Sequence, residues 1–188
     1  MIPQLKGANA VVVKESYSMS RVFFAADMHF GHDRLAINRR RMDPTYHNEL
    51  IIDNWNKTVK KNDLVIMVGD LTFEAPELIP MYLSKLHGNK LLVAGNHDTT
   101  QCCDVVRSLG IRVVGCMKYK GFFVSHIPIH PLEFSFSPKV RGNIHGHIHD
   151  RVIMDPRYFN VSMDRIDFTP ILFDDIEQAI ILAKSNLI

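Results

Sequence analysis

The sequence predicts a mixed α/β fold, because short apolar runs suited to buried strands alternate with segments whose apolar residues have helical spacing. The runs are about five residues long and rich in Val, Ile, Leu and Phe without clean alternation, which is typical of strands covered on both faces. They are Val22–Ala26, Leu64–Val68, Leu91–Ala94, Phe122–Val124 and Tyr158–Met163. The first four are each followed by metal-binding residue types, which would meet at one rim if the strands were parallel.

Four segments have the spacing of amphipathic helices, with apolar residues three or four positions apart. Pro76 suits the first turn of the second helix, and Gly110 is a stop signal for the third. The four are His47–Lys60, Pro76–His87, a helix capped by Asp98 or Thr99 that reaches Leu109, and Asp174–Lys184. Strand and helix therefore alternate in the first part of the chain, and strands become more frequent after about Ile111.

The length of the chain favours one domain. At 188 residues it is long enough to bury a core but short for two independent domains, and no repeat or linker divides it. We therefore predict a single domain over residues 1–188, in which residues 1–20 form an N-terminal extension. This extension is either an extra edge strand through Val11–Val13 or an unstructured tail, and the sequence leaves both open.

Composition indicates a soluble, cytoplasmic protein. Hydrophobic residues make up 46% and charged residues 22%, which is close to the globular average and excludes disordered and fibrous classes. The net charge of +2 is too small to indicate a polyanion-binding surface, although it leaves nucleic acid open as a partner. Three cysteines cannot all pair, which favours a reducing compartment, and no apolar run approaches the length of a membrane helix. The sequence also leaves a homo-oligomer open.

Metal-binding side chains occur at five separate places, each after an apolar run. A divalent metal of intermediate softness is held well by imidazole, carboxylate and amide groups together, and two such metals need a carboxylate that bridges them. In an extended stretch, Asp27 and His29 would point to the same face and reach one ion. His147 and His149 would do the same, unless a bent loop at Gly146 directs them to different ions. We predict Asp27, His29 and His149 on a first metal, Asn96, His126 and His147 on a second, and Asp70 bridging both.

Each of these motifs has a plainer explanation when it is taken alone. A Gly-Asp pair such as Gly69-Asp70 is more often a turn, Asp27-x-His29 can be a cap, and His126 can be a buried core histidine. Agreement of five independent segments by chance is rare, so the set as a whole favours a metal site.

As a set, these motifs resemble those of the calcineurin-like metallophosphoesterases. They are DMHFGH at residues 27–32, GD at 69–70, GNHD at 95–98, SH at 125–126 and GHIH at 146–149. The first motif, together with the Asn-Val-x-x-Asp stretch at Asn160–Asp164, is similar to small, cap-free members common in bacteria and their phages. The resemblance implies two facing sheets flanked by helices, a four-layer αββα sandwich, and the same metal assignment. Mn²⁺ is the first choice for the two ions, and Fe or Zn²⁺ would also be tolerated.

The chemistry expected of such a site is hydrolysis of a phosphate ester. Two cations would hold the phosphoryl oxygens and a bridging water, whose hydroxide would attack phosphorus. His97 is the candidate to protonate the leaving group, with Asp98 or the neighbourhood of Asp70 orienting it, and the resemblance implies the same histidine. His32 is predicted to contact the substrate phosphate, against a purely structural role. Within the run of three arginines, Arg40 is predicted to bind substrate, against the alternative of a solvated charged face.

Three alternatives to a phosphodiesterase have to be weighed. We expect a small phosphorylated substrate and a phosphodiester, with nucleotides among the candidates, because small cap-free relatives more often take diesters. A phosphomonoester is the first alternative. A non-catalytic protein-binding scaffold is the second, although such scaffolds typically lose ligands that this chain retains. A β-lactamase-like metallohydrolase is the third, but Asp150 follows His149 too early for its His-x-His-x-Asp-His cluster.

Overall fold

The computed structural model describes residues 20–136 and 138–185, so the predicted extension at residues 1–20, with its strand through Val11–Val13, lies almost wholly outside the described residues. Within the described ranges, nine strands form two sheets. The strands are β1 Val22–Ala25, β2 Leu64–Met67, β3 Asn89–Val93, β4 Arg112–Val114, β5 Cys116–Tyr119, β6 Phe122–Ser125, β7 Gly142–His145, β8 Tyr158–Asn160 and β9 Ile171–Leu172.

Both sheets are mixed, which confirms the predicted α/β sandwich. The first sheet has the order β4-β3-β2-β1-β9, in which β1 to β4 are parallel and β9 is antiparallel to β1. The second has the order β5-β6-β7-β8, in which β5 is antiparallel to β6 and the other pairs are parallel. The carboxyl ends of β1, β2 and β3 therefore lie along one edge of the first sheet, and those of β6 and β7 along one edge of the second.

Three helices between Pro44 and Ser108 pack on the outer face of the first sheet, and the last described helix packs on a second core. The five helices described are α1 Asp33–Asn38, α2 Pro44–Thr58, α3 Ile79–Lys85, α4 Thr100–Ser108 and α5 Phe173–Ser185. Side-chain caps fix three of the starts: Asp43 accepts from the backbone N–H of Tyr46, Thr99 from that of Cys102, and His32 from that of Leu35. Ile51 and Trp55 of α2 are fully buried against strand residues such as Met67. Burying one large apolar side chain in this way stabilises the fold by about 1.5–3 kcal/mol.

A second core lies between the two sheets. Phe24 of β1 and Ile66 of β2 meet Phe122 of β6 and Ile144 of β7, and Phe173 of α5 packs with them. Successive strand residues point to opposite faces, so the neighbours of these side chains face away from this core. On that outer face of the second sheet, a 3₁₀ turn at Pro131–Phe134 brings the Phe134 ring to 5.2 Å from that of Tyr158.

Some elements depart from the expectation drawn from the sequence. The helix predicted at His47–Lys60 begins at Pro44, where a cap and a proline combine, and the segment from Pro76 starts as a 3₁₀ turn before α3. Helix α1 and strands β4, β5 and β9 were not predicted. Helix α1, β4 and β9 span six, three and two residues, which is too short for a periodic apolar pattern, and β5 has no continuous apolar run because it is partly exposed. Among the described helices, none has both the length and the apolar character needed to cross a bilayer.

Candidate metal centre

The seven predicted metal ligands all follow strands of the two sheets at their carboxyl ends. Asp27 and His29 follow β1, Asp70 follows β2, Asn96 follows β3, His126 follows β6, and His147 and His149 follow β7. The two sheets face each other across the second core, and their facing edges bring these side chains into one cluster. Carboxylate and imidazole groups in this cluster form two sets that could hold a metal ion.

One set consists of Asp27, His29 and His149. Nε2 of His29 lies 3.8 Å from Oδ1 of Asp27, and Nε2 of His149 lies 3.9 Å from the same oxygen. The rings of His29 and His149 are stacked, with centroids 5.2 Å apart. Burial raises the pKa of Asp27, because nearby charges and its hydrogen bonds offset the desolvation only in part. A carboxyl group so buried is ionised most readily beside positive charge.

The other set consists of Asp27, Asp70 and His126, and two further ligand candidates lie next to it. Nε2 of His126 is 3.2 Å from Oδ2 of Asp70 and 3.0 Å from Oδ1 of Asn96. Nδ1 of His147 is 2.9 Å from the same Asn96 oxygen. Burial alone would lower the pKa of His126, but the hydrogen bond and the charge of Asp70 raise it above the usual value. Burial alone would raise the pKa of Asp70, and the contacts with His126 lower it.

His29 gives the clearest indication that the cluster suits cations. Its side chain is 2% exposed, and among the described residues neither ring nitrogen has a hydrogen-bond partner. Burial lowers the pKa of His29 to about 2, so the ring is neutral. Its Nε2 nevertheless faces two carboxylates, at 3.8 Å from Asp27 and 3.6 Å from Asp70. Buried polar atoms are nearly always paired, and a metal ion would be the partner that a neutral imidazole and two carboxylates share.

Five of the seven candidate ligands have a left-handed backbone, which few residues other than glycine adopt. Their φ angles are 57° at Asp27, 50° at His29, 56° at Asp70, 70° at His147 and 53° at His149. The prediction that Asp27 and His29 lie in an extended stretch is therefore wrong, because an extended chain has negative φ. For His147 and His149 the bent-loop alternative is correct, since one ring turns toward Asn96 and the other toward Asp27. Such backbone strain clusters at functional sites.

Two glycines of the motifs allow these strand ends to approach each other. A Cβ added at Gly95 would lie 2.3 Å from a carboxylate oxygen of Asp70, and one added at Gly146 would lie 2.6 Å from an oxygen of Asp27. Real Cβ atoms are not found at such distances, so any larger residue would push the two carboxylates out of place. The glycines of GNHD and GHIH thus have a steric role at the cluster.

Three residues of the Asn-Val-x-x-Asp stretch support the candidate ligands, a role that was not predicted from the sequence. Asn160 donates to the backbone carbonyl of His149 at 2.7 Å, and the Ser162 hydroxyl donates to Oδ2 of Asp27 at 2.5 Å. Asp164 Oδ2 lies 3.0 Å from Nδ1 of His149. Each of the three therefore positions a candidate ligand, as residues behind metal ligands commonly do. Their spacing at every second position is the sequence signal that could have identified them.

Arg40 has a different place from the one predicted. Its side chain is buried, and all five of its N–H donors are used. Nε and Nη2 donate to Asp164 at 3.0 and 2.8 Å, and Nη2 also donates to the carbonyl of Asp27 at 2.8 Å. Nη1 contacts the carbonyl of Met28 and Nε2 of His47. The prediction of Arg40 as a substrate contact is corrected, because no donor is left for a phosphate.

His97 and Asp98 are adjacent in the sequence but have different surroundings. The His97 side chain is 43% exposed, and its Nε2 lies 4.0 Å from Oδ2 of Asp70, so the ring borders both the cluster and solvent. Asp98 is buried and accepts three backbone N–H groups, from Asp70 at 2.9 Å, Leu71 at 3.0 Å and Gly95 at 2.7 Å. The catalytic prediction for Asp98 is corrected, since its carboxylate ties the ends of β2 and β3 together. It is the Oδ1 of Asp70 that accepts the backbone N–H of His97, at 3.0 Å.

His32 lies at the edge of the cluster. Its Nδ1 accepts the backbone N–H of Leu35 at 3.4 Å and so caps α1. Its ring lies 5.6 Å from that of His29 and stacks on Phe73 at 3.9 Å. A structural role, which was the alternative prediction for His32, is therefore present in the form of this cap. The ring is also close to the cluster, so substrate contact stays a prediction.

Comparisons with known proteins support the fold more than the chemistry. No family model matches the chain. An uncharacterized protein of Methanocaldococcus jannaschii is 28% identical over 178 residues, which cover 87% of this chain and 93% of that protein. A protein of unknown function from Aquifex aeolicus, AQ665, has a TM-score of 0.67 and 23% identity over 85% of this chain and 99% of its own, and so shares the fold. Pseudomonas putida nuclease MPE has a TM-score of 0.45 and 20% identity over 69% of this chain and 61% of its own, which is too little to bear on function.

Proposed function

We propose that this chain is a metal-dependent phosphoesterase of the calcineurin-like kind, and that its preferred substrate is a phosphodiester. The observation that carries the proposal is the buried, neutral imidazole of His29, whose Nε2 faces the carboxylates of Asp27 and Asp70 without a hydrogen-bond partner among the described residues. Imidazole, carboxylate and amide donors together suit Mn²⁺, Fe or Zn²⁺, and we take Mn²⁺ as the first choice.

The distances support the division of the ligands between two ions. Asp27, His29 and His149 would hold one ion, and Asn96, His126 and His147 the other. Oδ2 of Asp70 lies 3.6 Å from Nε2 of His29 and 3.2 Å from Nε2 of His126, a position that favours a bridging role. When bound, such a pair of ions supplies positive charge for the phosphoryl oxygens and lowers the pKa of an attacking water.

The chain itself contributes positioning and a proton. Nδ1 of His126 lies 2.8 Å from the carbonyl of Val68, which places the proton on Nδ1 and leaves Nε2 as a ligand atom. His97 combines access to solvent with a ring nitrogen near the cluster and is not among the candidate metal ligands, so it would give the proton to the leaving oxygen. Attack by water needs no covalent enzyme intermediate, so no nucleophilic Ser or Cys is required.

Hydrolysis of matched chromogenic esters tests the proposal. Protein stripped with a chelator and reloaded with Mn²⁺ should hydrolyse bis(p-nitrophenyl) phosphate, and should hydrolyse p-nitrophenyl phosphate more slowly. Asp70→Ala should abolish both activities. Asp104→Ala is the matched control, because Asp104 is an exposed acid on α4 that pairs with Arg107 away from the cluster.

Each other outcome points to a specific alternative. Equal activity in the stripped protein would exclude metal-dependent hydrolysis. Faster turnover of the monoester would favour a phosphomonoesterase with the same cluster. Metal binding without turnover of either ester would favour a protein-binding scaffold.

A further inference from the structure

An aromatic ring is exposed at the edge of the cluster. Phe73 is 46% exposed, and its ring centroid lies 3.9 Å from that of His32 and 4.7 Å from that of His97. Single exposed apolar side chains are common and need no explanation on their own. This one differs because it sits beside the proposed proton donor and 5.7 Å from the ring of His29.

The backbone around Phe73 is held in place by the strand ends that carry the cluster. The N–H of Phe73 donates to the carbonyl of Phe30 at 2.9 Å, and the Thr72 hydroxyl donates to the same carbonyl at 2.9 Å. The N–H of Glu74 in turn donates to the Thr72 hydroxyl at 3.0 Å. The backbone that carries the ring is therefore held in place before any substrate arrives, which lowers the entropic cost of binding to the ring.

A cleft of about 390 Å³ opens beside this ring. Its size lies within the range of small-molecule sites, which is roughly 300–1,000 Å³. The lining includes Phe73 and Pro76 as apolar surfaces, and Asn96, Thr99 and Gln101 as neutral hydrogen-bonding groups. A planar heterocycle needs this combination, with an aromatic face to stack on and polar groups for its edge.

The cleft lies on the leaving-group side of the cluster, because His97 also lines it. Of the described residues that line it, none is Lys or Arg, and Glu74 adds negative charge. A separate cleft of about 260 Å³ beside His147 is instead lined by Arg39 and Arg151. Arg39 pairs with Asp150 at 2.6 Å, so Arg151 supplies most of the positive charge there. The charges thus favour a neutral leaving group in the cleft at Phe73, and the anionic remainder of the substrate on the side of the two arginines.

We propose that the Phe73 cleft binds a planar aromatic ring on the leaving group, such as the base of a nucleoside. The inference rests on the proposed phosphodiesterase function and narrows its substrates to diesters whose leaving alcohol carries such a ring. Phe73 is a specificity-determining residue in this account. Stacking of a base on an aromatic side chain commonly changes affinity by about tenfold or more.

Two dinucleotide substrates test the cleft directly. They are identical except that the leaving nucleoside of one lacks its base. With the full chain loaded with Mn²⁺, we expect KM to be about tenfold lower for the base-bearing substrate. Phe73→Ala should raise KM for that substrate about tenfold more than for the abasic one, and Phe73→Trp should keep the preference. Phe136→Ala is the control, because Phe136 is 79% exposed and lies outside the cleft.

The outcomes separate this inference from the function on which it rests. Equal KM values for the two substrates, or an equal effect of Phe73→Ala on both, would overturn the aromatic subsite while hydrolysis itself stands. Failure to cleave either dinucleotide while bis(p-nitrophenyl) phosphate is hydrolysed would overturn this inference alone. Failure to cleave all three esters would overturn the proposed function. In that case, calorimetry of thymidine 5′-phosphate and of deoxyribose 5-phosphate binding compares ligands with and without a base, and so tests the aromatic subsite separately. A preference for the nucleotide that Phe73→Ala removes would support it, and equal affinity would overturn it.

Discussion

The carboxylate of Asp164 lies 3.0 Å from Nδ1 of His149, while Nε2 of the same imidazole faces Asp27 at 3.9 Å. Burial alone would raise the pKa of Asp164, but hydrogen bonds from His149 and Arg40 hold it well below the usual value. The ionised carboxylate keeps the proton of His149 on Nδ1, so the lone pair of Nε2 points into the cluster. Asp164 therefore orients the candidate ligand His149 through Nδ1, on the side of the ring that faces away from the cluster.

Replacing Asp164 should weaken metal binding without removing a ligand. Asp164→Asn keeps the shape of the side chain but loses the charge, so His149 becomes a poorer donor. We expect the affinity for Mn²⁺ to fall at least tenfold, which is typical of residues that orient metal ligands. Calorimetric titration with Mn²⁺ measures this, with Asp155→Asn as control because Asp155 pairs with Arg157 instead. Unchanged affinity in Asp164→Asn would show that the contact has no effect on the ligand.

Replacing His97 should slow hydrolysis and leave metal content intact. A general acid contributes about 10²–10⁴ in rate, and the loss depends on how much the leaving group needs a proton. We therefore expect His97→Gln to lower kcat about a hundredfold for an alkyl leaving group and much less for p-nitrophenolate. Comparison of the two esters tests proton donation specifically. An equal loss on both would assign His97 to binding or to charge stabilisation.

Replacing Asp98 should mainly lower the free energy of unfolding. Its carboxylate accepts N–H groups of Asp70, Leu71 and Gly95, and a buried N–H left without an acceptor costs about 1–3 kcal/mol. Asp98→Asn turns one acceptor oxygen into a donor, so the free energy of unfolding should fall by about 2 kcal/mol. Urea denaturation measures the change, and Asp104→Asn should alter it by less than about 0.5 kcal/mol. Full stability with lost activity would restore the catalytic role first predicted for Asp98.

Stability should depend on pH through His47, which is buried against Arg40. Burial, together with the charge of Arg40, lowers the pKa of His47 from 6.5 to about 4. Above pH 6.5 both the folded and unfolded states are neutral at this residue, and the stability is complete. Between pH 6.5 and about 4 only the unfolded state binds the proton, so stability falls as pH falls, by up to about 1.4 kcal/mol per pH unit.

His47→Gln isolates this contribution. Urea denaturation at pH 7, 6 and 5 measures how the free energy of unfolding depends on pH. This dependence should be weaker in the variant, because about one proton fewer is bound on unfolding. His145, whose pKa burial also lowers to about 4, retains its own contribution in both proteins. Identical pH dependence in the two proteins would mean that His47 is not buried in its neutral form.

Most strand ends and candidate ligands were predictable from the sequence, because buried parallel strands are continuous apolar runs and Asp27, Asp70, Asn96 and His126 closely follow such runs. Strand β9, with two residues, and helix α1, with six, lack enough length for such a pattern. The conformation at Asp27 and His29 was beyond prediction for another reason. A left-handed backbone at Asp or His is set by surrounding contacts rather than by local preference.

The supporting residues were harder to predict than the ligands. The run Arg39-Arg40-Arg41 reads as a charged surface, and the sequence does not show that its middle member enters the core to meet Asp164. Asp98 follows a catalytic candidate directly, but its partners are backbone groups of segments up to 28 residues away. Contacts of this kind depend on the assembled fold, in which β2 and β3 are neighbours.

The metal content of the chain decides whether the cluster holds two ions. After loading with Mn²⁺ and removal of free metal, mass spectrometry of the wild-type protein and of the Asp104→Ala control should find about two ions per chain. Asp70→Ala, which removes the carboxylate between His29 and His126, should lower that number to one or none while the fold persists by circular dichroism. Metal-free wild-type protein after loading, or a folded Asp70→Ala variant that retains both ions, would contradict the account.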